Sequence, residues 1–408
     1  LLQALGVPGF RPLDEPRHVG YAVELTRGHF PTVRDPLPFS NLGNEPVHGS
    51  KLITAANHPP LYYVLIAIPI VLSGGLPHLA RGVALARLVT LLLGAAGLVM
   101  AARACRRLVP DRPAVALLAT GCAAVTPAFV NCSAVVMNDS LAFLASAALY
   151  DAAFDVLTSG PKRRAVVAFA VWTSIAGLTR FAEILVLPPA MLAVVAGYLY
   201  FDRGSFRARF LRGAAVAAAS LAGAILTSGL FYLRNYRLYG DVTGAKALME
   251  ELHRIPRRPF YIEMLNGHLW VDLCDQLSDR LAGGVAIRDL EWPRRIVFLL
   301  GIAGLVKAAI AARGTLRTAP WKNPRLVGGA LLLLGFLFVT LPIFEFYAEG
   351  GGLSPRYYFP MLFALWFFLA LGLSSFGRAL VPAATFIGLA LWAFIILDAY
   401  MSRVVPDR

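Results

Sequence analysis

Apolar residues along this chain come in long blocks separated by short polar, arginine-rich joints. Residues 6–58 are the exception, polar and turn-rich, with prolines at 8, 12, 16, 31, 36, 38 and 46. Within them Pro16 to Arg27 predicts a short helix with proline at its start, and Val19, Ala22, Val23 and Leu25 give it an amphipathic, surface-lying face. Leu61 to Leu72 is apolar throughout but only about 12 residues long, against the roughly 20 that a span needs. This predicts a helix lying at the membrane interface. About ten blocks are long enough to cross, near 84–106, 113–131, 139–157, 164–179, 181–201, 212–233, 294–313, 325–346, 357–376 and 379–401. The fourth and fifth are nearly continuous, with a break around Thr179-Arg180.

Composition agrees with this pattern. Of 408 residues, 58% are hydrophobic and only 15% charged, and the mean hydropathy is +0.64. Soluble domains carry about 25% charged residues, so a soluble enzyme with one large core is excluded, as is a disordered or collagen-like chain. The excess of 38 basic over 24 acidic residues gives +14. On a membrane protein it reads as orientation rather than as nucleic-acid binding. Arg103, Arg106, Arg107 and Arg112, then Lys162, Arg163 and Arg164, then Arg203, Arg207, Arg209 and Arg212, then Arg313, Arg317, Lys322 and Arg325 fall on one side, expected to be cytoplasmic. The opposite, exterior side then receives 1–83 as a first long loop with juxtamembrane helices, 234–293 as a second, and the tips near 131–138 and 347–356. The whole of 1–408 reads as one transmembrane domain with no soluble C-terminal domain, and the opening Leu1-Leu2-Gln3-Ala4-Leu5 suggests the end of a further span missing at the N-terminus.

All seven histidines lie in the two long exterior segments. The four cysteines have no CxxC spacing, which argues against a zinc site or a disulfide framework. Cys132 and Cys274 both fall on the exterior side, where a bridge is open to them. Five exterior blocks carry candidate chemistry. Asp14-Glu15-Pro16-Arg17-His18 offers adjacent carboxylates, suited to a general base or a metal, or simply to a helix N-terminus. Asn57-His58-Pro59-Pro60-Leu61-Tyr62-Tyr63 offers interface anchoring by the tyrosines, or a polar cleft faced by His58. Asn138-Asp139 begins a span, as a cap or as a functional intramembrane acid. Arg234-Asn235-Tyr236-Arg237-Leu238-Tyr239-Gly240-Asp241 follows a span, with Arg234 as a phosphate fork or a snorkelling end. Ser354-Pro355-Arg356-Tyr357-Tyr358-Phe359-Pro360 puts an arginine against the charge bias of the short exterior loops, which suits an anionic headgroup. Arg180 and Glu183, three apart at the helix break, predict a local ion pair. Asp151 and Asp155 share a helix face with no assigned role, and Glu345 and Glu349 sit near an exterior helix end.

Taken in order, these blocks resemble the GT-C membrane glycosyltransferases, among them the protein O-mannosyltransferase and lipid A aminoarabinose transferase families. The resemblance covers nearly the whole chain and implies an all-α polytopic fold. It also implies a sugar transferase working from a polyprenyl-phosphate donor, by inverting displacement on the exterior face. The acceptor would be a glycan, lipid or protein hydroxyl, and the location a cell membrane with the site facing the periplasm or exterior. Carried over by position, Asp14 becomes the base and Glu15 its partner. Arg356 and Arg234 become the phosphate ligands, and His18, His58, Tyr62, Asp139 and Tyr357 complete the substrate site. The aminoarabinose transferase pattern has an acid and a lysine before the Pro-Pro pair, where this chain has Asn57 and His58. A metal site of that kind is thereby weakened, although His58 with His253 or His268 leaves a divalent metal open. No nucleotide-binding motif is present, in keeping with a lipid-linked donor. The rival reading is a multi-pass transporter or flippase, favoured only by the break at Arg180.

Overall fold

The computed structural model describes residues 14–42, 45–47, 51–263, 265, 291–311, 322–352 and 355–377. The chain is built almost wholly of helices. A two-residue antiparallel ladder, β1 (Asn41–Leu42) with β2 (Glu45–Pro46), is the one named sheet among those residues. The first helix, α1 (Glu15–Thr26), opens with proline in its first turn. It is followed by a 3-10 turn at Thr54–Asn57 and by α2 (Leu61–Leu72). Then come α3 (Leu79–Leu108), α4 (Pro113–Val125), α5 (Pro127–Ala134) and α6 (Asp139–Ser159). After these run α7 (Arg163–Gly177), α8 (Phe181–Ile184), α9 (Leu187–Phe201) and α10 (Phe206–Tyr239). The remainder comprises α11 (Ala245–Glu251), α12 (Phe260–Glu263), α13 (Glu291–Ala311), α14 (Pro324–Ala348), a 3-10 stretch at Pro355–Met361 and α15 (Leu362–Ser374).

Among the described residues six helical segments are long and apolar enough to cross a membrane, or seven if the pair α4 and α5, bent by 62°, is one span. The protein is a multi-pass membrane protein. Two of the expected spans take a different form, and the block at 294–313 falls on α13, which is not among the six. The block at 164–179 is α7, only 15 residues long, and the block at 113–131 is the bent pair. The span expected at 379–401 lies outside the described residues. The short block forms α2 with the expected bounds, and it exposes Val64, Ile68, Val71 and Leu72.

The centre of the bundle is α6, whose apolar window is 94% buried. Its alanines explain the position, since small residues let neighbouring helices approach closely. Next to it, α3 runs parallel. Gly94 of α3 packs on Ser133, Gly97 on Phe143 and Leu144 of α6, and further along Arg107 reaches Asp151 and Asp155. On another side Gly197 of α9 lies against the Val156 backbone, where a Cβ would come within 2.5 Å of the carbonyl oxygen.

The expectation that α1 lies on the surface is corrected. Glu15, His18, Val19, Gly20, Tyr21, Ala22 and Val23 are all buried. The helix packs between α2 and the folded loop that follows it, and a Cβ on Gly20 would fall 2.6 Å from Leu37. The amphipathic pattern understated this because polar residues on the other face are themselves enclosed.

Candidate active site

The start of α6 and the start of α1 lie together at one end of the bundle. Asp14 caps the fold of α1 and pairs through its side chain with Arg17 one turn later and with Arg356 of the 3-10 stretch. Arg356 also lies over the Tyr357 ring, 5.5 Å from its centroid. Burial raises the pKa of Asp14, but Arg356, His18 and Arg17 outweigh it and hold the carboxyl below its ordinary value.

Behind Asp14, His18 is enclosed. Its Nδ1 shares a hydrogen bond with the Tyr63 hydroxyl at 3.0 Å, and its ring lies nearly parallel to that of His58, with centroids 6.5 Å apart. Burial lowers the pKa of His18 to about 4, so it is neutral at pH 7. His58 is held well below its ordinary value by burial and then by the charges of Arg180 and His18. Asp139 and Arg180 both act electrostatically on His18, so the start of α6 and the helix break belong to the same cluster. Asp139 and Arg180 themselves form a buried ion pair.

This pair corrects the expected Arg180–Glu183 contact. Arg180 is extended, with φ −155° and ψ 156°, immediately before α8. The three-residue spacing brings side chains together only where both residues are helical, so Arg180 turns to Asp139 instead. Glu183 accepts from Ser146 of α6 and keeps its other carboxylate oxygen buried without a partner among the described residues.

Glu15 points away from Asp14. Fully buried, it accepts from Arg87 Nε at 2.7 Å and Arg87 Nη2 at 2.6 Å, and from the Val136 backbone N–H at 2.9 Å. It therefore ties α1 to α3 and to the segment that leads into Asp139. Arg87 was missed by sequence reasoning, although a lone arginine inside an apolar span is itself a signal. Tyr62, expected at the headgroup belt or the substrate, is instead enclosed, bonded to Thr90 of α3 at 2.7 Å. Arg234 holds the first loop. Its Nη2 donates to the carbonyls of Phe30 and Pro31 at 3.0 and 2.8 Å, and its guanidinium lies over the Phe30 ring at 4.5 Å. Its Nη1 is buried without a partner among the described residues. Asn235 adds a bond to the Asn57 carbonyl at 3.2 Å, and Asn57 reaches the Thr243 carbonyl at 3.4 Å. The two long loops are thus folded onto one another beside the cluster.

Two of the sequence expectations fall outside this picture. Among the described residues no group of three His, Cys, Asp or Glu side chains comes together to hold a metal ion. The Asp14 carboxylate is held by the guanidinium groups of Arg17 and Arg356. His253 lies on the exposed end of α11, with φ 51°, while His268 and Cys274 lie outside the described residues. Cys132 is buried.

No protein-family model matches the chain and no curated protein matches it. Among solved structures the fold is similar to the crystal structure of ArnT from Cupriavidus metallidurans bound to undecaprenyl phosphate. The TM-score is 0.51 at 16% sequence identity, covering 97% of this chain and 61% of ArnT. The chain therefore spans about three fifths of ArnT's length. Its fold is similar to that of ArnT over nearly the whole of this chain.

Proposed function

We propose that this protein is a membrane glycosyltransferase that moves a hexosyl or pentosyl group from a polyprenyl-phosphate donor to an acceptor hydroxyl on the exterior face. The observation that carries the reading is the Asp14–Arg356 pair, set beside Asp139, Arg180, His18 and His58 at one end of an apolar bundle. The likeness to ArnT, whose crystal structure holds undecaprenyl phosphate, supports a lipid-phosphate ligand for this fold.

The chemistry follows from the charges. A lipid phosphate is a good leaving group and needs a fixed cation rather than a strong acid. Arg356 supplies that cation, with Tyr357 beside it. In the resting state Arg356 is neutralised by Asp14. A donor phosphate competes for the same guanidinium and releases the carboxylate, whose basicity then rises. Asp14 takes the proton of the acceptor hydroxyl as its oxygen attacks the anomeric carbon. The bond to the phosphate oxygen breaks on the opposite face, and the configuration inverts. His18, His58 and Asp139 line the approach as sugar-hydroxyl partners. Glu15 acts from behind, as the buried support of α1, rather than as a second base. Arg234 and Tyr62 act by shaping the loop.

The test is direct. Purified full-length chain is incubated with polyprenyl-phosphate sugars and an extract of membrane glycan, lipid and protein acceptors, and sugar transfer is followed. Wild-type protein transfers and Asp14→Asn does not, while Asp14→Glu retains part of the rate. Equal transfer by wild type and Asp14→Asn removes Asp14 as the base. The helix break at Arg180 favours one rival, movement of a lipid-linked sugar across the membrane. Flux into proteoliposomes with no chemical turnover would establish that rival instead.

A further inference from the structure

Asp151 and Asp155 take no part in the cluster around Asp14. They lie on α6 about 12 and 16 residues after Asp139, which at 1.5 Å per residue puts them roughly 20 Å along the axis. On the parallel α3, Arg87 at the Asp14 end and Arg107 are 20 residues apart, about 30 Å, the thickness of a hydrocarbon layer. The acids therefore belong to the far end of the bundle. Both are nearly enclosed, at 5% and 6% exposure, and both aim at arginines of α3. Arg107 donates from Nε to Asp151 at 2.5 Å and from Nη1 to Asp155 at 2.7 Å, and Arg103 pairs with Asp151 at 3.0 Å. Asp151 takes one edge of Arg103, and Arg107 is shared between the two acids through Nε and Nη1, so the carboxylate pair on the central helix fixes both guanidinium groups.

Both arginines line an open pocket of about 370 Å³ between the ends of α3, α6 and α14. Its wall carries Arg103, Arg106, Arg107 and Arg325, with Thr158 and Ser159 contributing hydroxyls. Arg106 has no ion-pair partner among the described residues, and Arg325 pairs with Asp111, which is 83% exposed and so screened by water. Guanidinium forks converging beside the Ser159 hydroxyl match a phosphate group, while the Thr158 hydroxyl donates to the Phe154 carbonyl. Arginines that only mark orientation need no concave site and no buried acids to hold them.

We propose that this cavity is a second anion site, separate from the Asp14 cluster, that binds a phosphate group supplied by an anionic phospholipid of the adjacent leaflet or by free phosphate. It is independent of the transferase reading, because it lies at the opposite end of the bundle and needs no turnover. A lipid source fits its height, at the end of apolar helices where headgroups lie.

The experiment uses the full chain in detergent, with lipid retention read by native mass spectrometry. Three probes are titrated: dioleoyl phosphatidylglycerol, dioleoyl phosphatidylcholine, and inorganic phosphate. Wild type retains phosphatidylglycerol over phosphatidylcholine. Arg106→Gln and Arg325→Gln each lower that preference about tenfold, the factor for one lost hydrogen bond between charged groups. Arg163→Gln, which removes an exposed arginine outside the cavity, leaves it unchanged. These two variants spare Asp151, Asp155 and Arg107, so the packing of α3 on α6 stays intact. Inorganic phosphate binding that is lost in the same two variants, without a phosphatidylglycerol preference, keeps the phosphate site and assigns its source to solution. An equal loss in Arg163→Gln, or no change in Arg106→Gln and Arg325→Gln, overturns the proposal.

Discussion

Arg356 closes an ion pair with Asp14 across 342 positions of sequence, joining the start of the chain's first described helix to the stretch that leads into its last. Arg17 holds the other oxygen of the same carboxylate. Together they keep Asp14 ionised below its ordinary range despite burial. Among the charges that lower its pKa, Arg356 is the largest.

Removing that cation shifts the acid limb in a definite direction. In Arg356→Gln the carboxyl loses a favourable charge while its burial remains, so its pKa rises. The acid limb of kcat/KM, which reports the free enzyme, moves to higher pH than in wild type. The rate at its optimum falls by about 10²–10³, the usual cost of one charge-stabilising donor, and the KM for the lipid-linked donor rises. The measurement is a pH profile of transfer for both proteins. An unmoved acid limb would mean that the titrating base is another group.

Glu15 and Arg87 support this site without entering it. Each is buried, and each satisfies the other by two hydrogen bonds. Breaking one side of a buried pair costs about 3–5 kcal/mol, because the charge left behind has no water. Arg87→Ala is therefore expected to lose most of the folded protein in detergent, measured by thermal unfolding. The double change Glu15→Leu with Arg87→Met removes both charges and is expected to recover much of that loss. A double variant as unstable as Arg87→Ala would show that the hydrogen bond to the Val136 N–H, not the charge, carries the effect.

These two pairs also show what was legible beforehand. The bounds of α2 and the start of α6 follow from lengths of apolar runs, since a membrane span has a fixed minimum length. Asp14 and Arg356 stood out as exterior charges in turn-rich segments. Their contact was not legible, because a separation of 342 residues carries no register. Glu15 looked like Asp14's equal, yet neighbours on a helix are turned about 100° from one another, so one faces the site and the other the core. Arg180 was assigned to Glu183 by helical spacing, and the break in the helix gave it to Asp139. Periodicity predicts contacts only where the helix continues.

Helix packing elsewhere in the bundle supplies an independent prediction. Gly301 and Gly304 of α13 meet Leu369 and Gly372 of α15, and a Cβ on Gly304 would run into the Gly372 carbonyl. Close backbone approach through small residues is how helices associate in lipid. Gly304→Val is expected to lower stability by about 1–3 kcal/mol, the range for overpacking. Gly329→Val, at a position with open space around an added Cβ, gains only the small helix-propensity difference of valine over glycine and is expected to be near neutral. Thermal unfolding of the two variants side by side checks the contrast.

The neutral state of His18 makes stability depend on pH in a fixed sense. Its pKa in the folded protein is about 4, against 6.5 when unfolded. Between these values the unfolded chain binds a proton that the native one refuses, so stability rises with pH across that window. The stabilisation is fully present above pH 6.5 and is lost as pH falls toward 4. His58 is lowered for the same reason, with burial as its largest cause, and adds to the same slope. His18→Asn removes one titrating group while leaving a polar side chain opposite the Tyr63 hydroxyl. Its unfolding temperature is therefore expected to fall less steeply than wild type's between pH 6.5 and 4, whatever its value at neutral pH. The check is a series of thermal melts across that window, with His58→Asn and the double variant alongside. A slope in His18→Asn as steep as in wild type would mean that His18 already carries its proton in the folded protein.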